Sequence, residues 1–245
     1  MRIFPAIDLW EGRAVCLPRE KDESMTVCSA QACGVARRFL RGGARDLHIM
    51  DLQGAREGQP GFANFIEIEA LLRQGHAFIQ VGGGICTEEH ILQYLELGAA
   101  QVILHANDVM PAFAGRMARR YGAKIAVGLD VRDGVIAAPD GDGIAFCRQL
   151  RDAGVETVVC AAVDRNEPLT PAMLETCRQL AEIRGLEAIV AVSIGSAEEI
   201  RVLKETGIAG VIPGRNLYDG GLDLGMCLDA AASGAEPEDD EMPLF

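Results

Sequence analysis

Two aspartates, Asp8 and Asp130, each close a short apolar segment, IFPAID (3–8) and KIAVGLD (124–130). Alternation along an extended chain places Phe4, Ala6 and Asp8 on one side of the first segment. It places Lys124, Ala126, Gly128 and Asp130 on one side of the second. Two carboxylates brought to one mouth can divide general-acid and general-base work when their surroundings separate their proton affinities. A single strand-terminal Asp more often caps the next loop or pairs with an Arg. Matched placement in two segments favours chemistry over that bland role.

Two Gly-containing turns could hold an anion. Gly82-Gly83-Gly84 follows AFIQV (77–81) and precedes Thr87, a helix N-cap type, so the backbone can turn sharply and aim N–H groups at a negative charge. Three glycines can also make a tight turn and nothing more. Gly214-Arg215 follows AGVI (209–212) and is the second candidate. His48 lies among apolar neighbours and reads as a packed residue, whereas His105 ends QVIL (101–104), nearer the expected site, with no mechanism of its own. The eight cysteines show no CxxC pair and no His at ligand spacing, so they read as reduced core thiols with neither a metal nor a disulfide.

The elements that must position these residues alternate regularly. Strand-like segments at 3–8, 47–51, 77–81, 101–104, 124–130, 157–163, 188–193 and 209–212 are separated by eight amphipathic segments. The first helix is expected after Ser29, with Val35, Ala36, Phe39 and Leu40 on its apolar face and Gly42-Gly43 at its end. Such alternation implies parallel strands with right-handed crossovers, and eight units favour a closed barrel over an open sheet. Internal repetition supports two halves. Thr87-Glu88-Glu89-His90-Ile91 and Ser196-Ala197-Glu198-Glu199-Ile200 lie 109 positions apart, as do Gly98 and Gly207. Asp8 and Asp130 differ by 122, which places the divergence of the halves in their first loops.

The expected architecture is therefore an α/β fold, a (β/α)8 barrel with a two-fold half-barrel repeat, forming one domain over residues 1–232 with halves at about 1–122 and 123–232. Residues 233–245 read as an acidic, disordered extension. The formal charge of −13 argues against a nucleic-acid partner. No apolar run approaches a membrane span, and the first twenty residues carry Asp8, Glu11, Arg13 and Arg19 rather than a leader, so a cytoplasmic protein is expected.

With these residues in hand, the chain resembles the histidine-biosynthesis isomerases that convert phosphoribosylformimino-aminoimidazole carboxamide ribotide from aldose to ketose. The resemblance covers nearly all of 1–232 and is carried by PAIDLWEGRAV (5–15), LHIMDLQGAREGQP (47–60), QVGGGI (80–85), GLDVRDG (128–134) and GVIPGRNL (210–217). It implies a two-half barrel that uses no metal or organic cofactor and takes a small substrate with a phosphate at each end; a monomer is expected. By resemblance, Asp8 is the base that moves the C2 proton and Asp130 the acid that opens the ribose ring, by way of a Schiff base and an enolamine. Gly82, Gly83, Gly84, Arg165, Ser193, Gly195, Gly214 and Arg215 would contact the substrate or its phosphates.

The chain departs from the family pattern at several places. After strand four the family's Gly-Ser/Thr is His105-Ala106, and after strand seven its Ser-Gly-Gly is Ala191-Val192-Ser193. A valine does not tolerate the positive φ that glycine permits. After strand six a Thr-Asp-Ile-Ser-Arg-Asp-Gly run becomes Ala161 to Glu167, keeping Arg165 and losing a catalytic threonine. A Trp expected near Pro139 to Asp142 is missing, and Cys16 replaces an Arg of the first loop. Each half thus keeps one phosphate loop and loses another. Two alternatives follow: a paralogue acting on another, singly phosphorylated amino sugar, or a non-catalytic barrel used for binding or assembly.

Overall fold

A computed structural model describes residues 1–16, 25–75, 77–163 and 169–232. The first barrel strand is in two parts, β1 (Arg2–Ile3) and β2 (Ala6–Trp10), separated by Phe4-Pro5. Pro5 has no N–H to give a ladder, which accounts for the interruption. β2 is parallel to β5 (Asp46–Asp51), and the order continues through β6 (Phe78–Gly82), β7 (Gln101–His105), β8 (Ile125–Arg132), β10 (Thr157–Ala162), β11 (Glu187–Ala191) and β12 (Gly210–Val211). β1 then pairs with β12, Arg2 opposite Gly210. Phe4 N–H to Val211 O and Ala6 N–H to Pro213 O, both 2.9 Å, carry that ladder past the break. The sheet is closed, as expected, with each strand within a few residues of its predicted bounds.

Nine α-helices form among the described residues, one more than expected. They are α1 (Ala32–Arg41), α2 (Leu52–Glu57), α3 (Phe62–Leu72), α4 (Glu88–Glu96), α5 (Pro111–Tyr121), α6 (Gly143–Asp152), α7 (Pro171–Ala181), α8 (Ala197–Glu205) and α9 (Leu224–Ala232). The extra one, α2, is a short turn of helix inside the loop after β5. None of the described helices is long and apolar enough to cross a membrane.

Strand alternation divides the apolar residues into two layers. Phe4, Ala6, Ile103, Ala126, Val159, Ile189 and Ile212 fill the barrel interior, while Ile7, Leu9, Leu47, Ile49 and their equivalents face the helices. Lys124 does not join its expected row. It lies exposed in the 3-10 turn Gly122–Lys124 before β8. At the barrel floor the Arg2 guanidinium lies 4.0 Å from the Phe78 ring centre and pairs with Asp46 at 2.5 Å. Above it, the Gln80 amide bonds the neighbouring strand's His48 at 3.0 Å, and the Gln101 amide reaches past β8 to the Thr157 hydroxyl at 3.2 Å, while the side-chain oxygens of both glutamines are buried without a partner among the described residues.

The half repeat is visible in local geometry. Thr87 caps α4 through its hydroxyl and Ser196 caps α8 in a capping box with Glu199. Gly98 and Gly207 follow those helices at φ +101° and +88°. Each half opens with a strand and a hairpin. β2 turns at Glu11-Gly12 into β3 (Arg13–Cys16), and β8 turns at Asp133-Gly134 into β9 (Val135–Ile136). The hairpins are 122 positions apart, whereas α1 and α6 start 111 apart, at residues 32 and 143. The 11 extra residues of the first half (122 less 111) therefore lie between Cys16 and Ala32, in the first loop where the divergence was expected.

Two local expectations are corrected. Ser29 is not the cap of α1 but the end of β4 (Thr26–Ser29), and Gln31 occupies the cap position without a side-chain bond. Ser29 instead accepts from the Gln31 N–H at 3.1 Å. The second correction concerns the thiols. β3 and β4 run antiparallel with Cys16 opposite Thr26, bringing Cys16 and Cys28 to a Cα separation of 5.8 Å, and the two form a disulfide. Linear spacing alone did not show that a hairpin would fold them together. Cys147, Cys160, Cys177 and Cys227 are buried in the core, as expected, while Cys33 and Cys86 are half-buried. The tail at 233–245 lies outside the described residues.

Candidate active site

The C-terminal ends of the strands surround a cavity of about 620 Å³. Asp8 and Asp130 both reach its wall, each the last inward residue of its strand before a hairpin. Small residues make the room: Ala6 and Gly128 lie one inward step below the carboxylates, and Ala161 and Ala191 stand in register with Asp130. A side chain at Gly128 would press on Ile103 at 3.2 Å and on His105 at 3.3 Å.

Asp130 is held at both oxygens. His105 Nε2 lies 3.1 Å from Oδ1, and the Asn107 side-chain amide donates to Oδ2 at 3.0 Å. His105 Nδ1 in turn accepts the Asn107 backbone N–H at 3.3 Å, which leaves Nε2 as the protonated nitrogen facing the carboxylate. Beside Asp8 stands Tyr218, whose hydroxyl donates to Ala6 O at 2.7 Å. Burial, and after it the Asp8 charge, holds the Tyr218 hydroxyl well above the usual phenol range, against the opposing Arg38.

The Gly82-Gly83-Gly84 turn lines the cavity and has a packing reason for each of its last two glycines. Gly83 and Gly84 adopt φ +109° and +70°. A Cβ at Gly83 would come into hard collision with Asp51 O, and one at Gly84 would stand 2.5 Å from the Gln59 carbonyl carbon. The loop they press against is fixed by Asp51, which is fully buried at the end of β5. Its carboxylate accepts from the Gly54 and Gly61 N–H groups, each at 2.7 Å, and from the Asn64 amide at 2.6 Å. Asn64 also accepts the Gly12 N–H at 2.7 Å, so one buried network locks the loop to the first hairpin.

The equivalent turn of the second half is built differently. Val192 and Ser193 stand where Gly83 and Gly84 stand 109 positions earlier, and both line the cavity. Val192 is buried without positive φ, since Glu11 and Asp133 are the non-glycine residues in that region among those described. Gly195, expected at a phosphate, is outside the cavity wall, and its N–H donates to Glu199 Oε2 at 2.6 Å. Gly214 and Arg215 line the cavity, and Asn216 ties their loop to the neighbouring one by donating to Ile194 O at 2.7 Å. Arg165 lies outside the described residues.

The structure thus brings Asp8, Asp130, Gly82, Gly83, Gly84, Ser193, Gly214 and Arg215 to one cavity. Sequence reasoning passed over His105 and Asn107 as site residues, although the 109-residue repeat offered a signal by aligning them with Gly214 and Asn216. His48, set aside as a packed residue, is bonded to Gln80 as that reading requires and also lines the cavity. Cys16 does too, through the residue that replaces the family's Arg. No linear signal pointed to Tyr218.

A closed parallel barrel with two carboxylates and glycine-containing loops at its C-terminal mouth has the layout of a barrel enzyme. The chain belongs to the histidine biosynthesis protein family, whose model matches residues 2–223. It is 37% identical over 232 residues to a protein of Campylobacter concisus, covering 91% of this chain and 97% of that one. It is 36% identical to one of Moorella thermoacetica, covering 96% and 100%, and 34% identical to one of Halorhodospira halophila, covering 94% and 97%. All three relatives are named 1-(5-phosphoribosyl)-5-((5-phosphoribosylamino)methylideneamino)imidazole-4-carboxamide isomerase.

Proposed function

We propose that this protein is an aldose-ketose isomerase of histidine biosynthesis acting on the phosphoribosylamine for which its relatives are named. The observation that carries the reading is the convergence of Asp8 and Asp130, from equivalent strands of two half-barrels, on one cavity. Asp130 donates a proton to the ring oxygen as the C1–O bond breaks, opening the ribose and leaving a Schiff base at C1. Asp8 then removes the C2 proton, and the electron pair moves into the C1–C2 bond to give the enolamine. Return of a proton to C1 and loss of the C2 hydroxyl proton give the aminoketose. The Gly82-Gly83-Gly84 turn and the Ser193, Gly214 and Arg215 wall take the phosphates through backbone N–H groups and the guanidinium. The reaction needs no metal or organic cofactor, and the protein works as a cytoplasmic monomer.

The test is turnover of the ribotide by purified protein. Wild type is expected to isomerise it, with kcat falling about 10²- to 10⁴-fold in Asp8→Asn and in Asp130→Asn. Wild type without turnover would overturn the reading in favour of a binding barrel. A second reading, a substrate with one phosphate, is favoured by His105 standing where the other half has Gly214. Equal kcat/KM for a substrate lacking one phosphate would establish it.

A further inference from the structure

The loops after β7 and β12, which occupy matching places in the repeat, differ in what their side chains reach. Positions 105 to 107 and 214 to 216 are equivalent in the repeat. In the first half, His105 and Asn107 reach Asp130, one on each oxygen. In the second half, Gly214 has no side chain, a Cβ there would meet nothing within 4 Å, and Asn216 is turned to Ile194 O. Of two asparagines at matching sites, one serves a carboxylate and the other a neighbouring loop.

We propose that His105 and Asn107 are positioning residues for Asp130, an inference that rests on the isomerase reading of this site. A carboxylate that is about a third exposed, as that of Asp130 is, can rotate about its side-chain bonds. Donors on both oxygens fix its plane, so that one edge faces the cavity where the sugar ring oxygen must lie. The Asn107 backbone N–H on His105 Nδ1 locks the imidazole in the tautomer that donates, so the arrangement is a relay of orientation from the loop backbone to the acid. Among the described residues, the other charged or titratable side chains around the cavity are Asp8 on β2, His48 on β5, Asp108 in the loop after β7, and Arg215 and Tyr218 after β12. His105 also occupies the position of a lost phosphate-loop glycine, so its gain comes with a change in how that flank meets the substrate.

The experiment compares steady-state kinetics of wild type, His105→Gly, His105→Gln and Asn107→Ala. Positioning predicts that His105→Gly lowers kcat by about 10- to 100-fold while KM stays within about threefold, and that His105→Gln, which keeps a donor, recovers most of the loss. Asn107→Ala is expected to move kcat in the same direction. A rise in KM at unchanged kcat would make His105 a phosphate contact and overturn the proposal, as would no change in either. Nitrogen NMR of the His105 ring separates this from failure of the isomerase reading. It is expected to show a bare Nδ1 and a protonated Nε2, with the Nε2 signal displaced in Asp130→Asn. The opposite tautomer, or an unmoved signal, overturns the inference whatever the substrate.

Discussion

Glu11 and Asp133 take the same step of the same turn, 122 residues apart, at φ +48° and +51°. Each precedes a glycine that also has positive φ, and each turn returns the chain antiparallel to the strand bearing a site aspartate. Two consecutive residues of positive φ form the tight hairpin whose twist matches its strands. The repeat therefore preserves a backbone conformation that suits Asp133, as an Asp-Gly pair, better than it suits Glu11.

Relief of that strain is measurable. Both side chains are exposed, so Glu11→Asn is expected to raise stability by about 0.5–1 kcal/mol in urea unfolding, whereas Asp133→Asn, which replaces a residue already suited to positive φ, is expected to gain much less. The glycines that follow behave oppositely and unequally. A Cβ at Gly12 would be 3.5 Å from Ala63, but at Gly134 it would be 2.7 Å from the Ala172 carbonyl carbon. Gly134→Ala is expected to cost about 3 kcal/mol or more and Gly12→Ala about 1–2 kcal/mol, and equal losses would refute this account of the packing.

Asp51 offers a sharper stability test, because its carboxylate satisfies three buried donors. Asp51→Ala leaves those donors unpaired and is expected to destabilise the protein by about 3–5 kcal/mol, read from the denaturant midpoint. The same change should loosen the wall behind Gly83 and Gly84. Hydrogen exchange in residues 52–61 is the readout.

The buried thiols give an alkaline signature. Burial pushes Cys147 and Cys177 up to about 12 and Cys227 to about 11, from an ordinary value of 9.0. In the unfolded chain these thiols ionise first, so their contribution is fully present below about pH 9 and is lost as pH rises toward 11–12, at up to about 1.4 kcal/mol per pH unit for each group. Unfolding free energies measured from pH 8 to 11 should fall accordingly. Cys147→Ala should flatten the slope, and an unchanged slope would count against it.

The Cys16–Cys28 disulfide closes a sequence separation of 12 residues. Reduction, or Cys28→Ser, is expected to lower stability by about 2–3 kcal/mol. Mass spectrometry of a non-reduced digest should recover the linked peptides. Free thiol at both positions in oxidised protein would contradict the pairing.

The features legible in the sequence were those governed by local period. Strand alternation assigned Phe4, Ala6 and Ala126 to the interior, Thr87 was readable as a cap, and the repeat set Ser196 in the matching place. Asp8 and Asp130 were legible as a pair because each ends an inward row. The contacts of Asp130 were not, since His105 meets it across a strand seam whose register, His105 opposite Gly128, no local pattern states. The Cys16–Cys28 pair was hidden for the same reason, requiring an antiparallel excursion that parallel alternation does not announce. Gly195, expected at a phosphate through the resemblance, gives its N–H to Glu199 of α8, a partner that no local pattern announced.

Closure through β1 and β12 carries a consequence for how such a chain holds together. The seam between β7 and β8 joins the first half to the second, and the seam between β12 and β1 joins the second back to the first. Cut between residues 122 and 123, each half would present two raw parallel edges, which seek another strand. The surface best shaped to cover them is the other half. Complementation between the two fragments is thus written into the same two rows of hydrogen bonds.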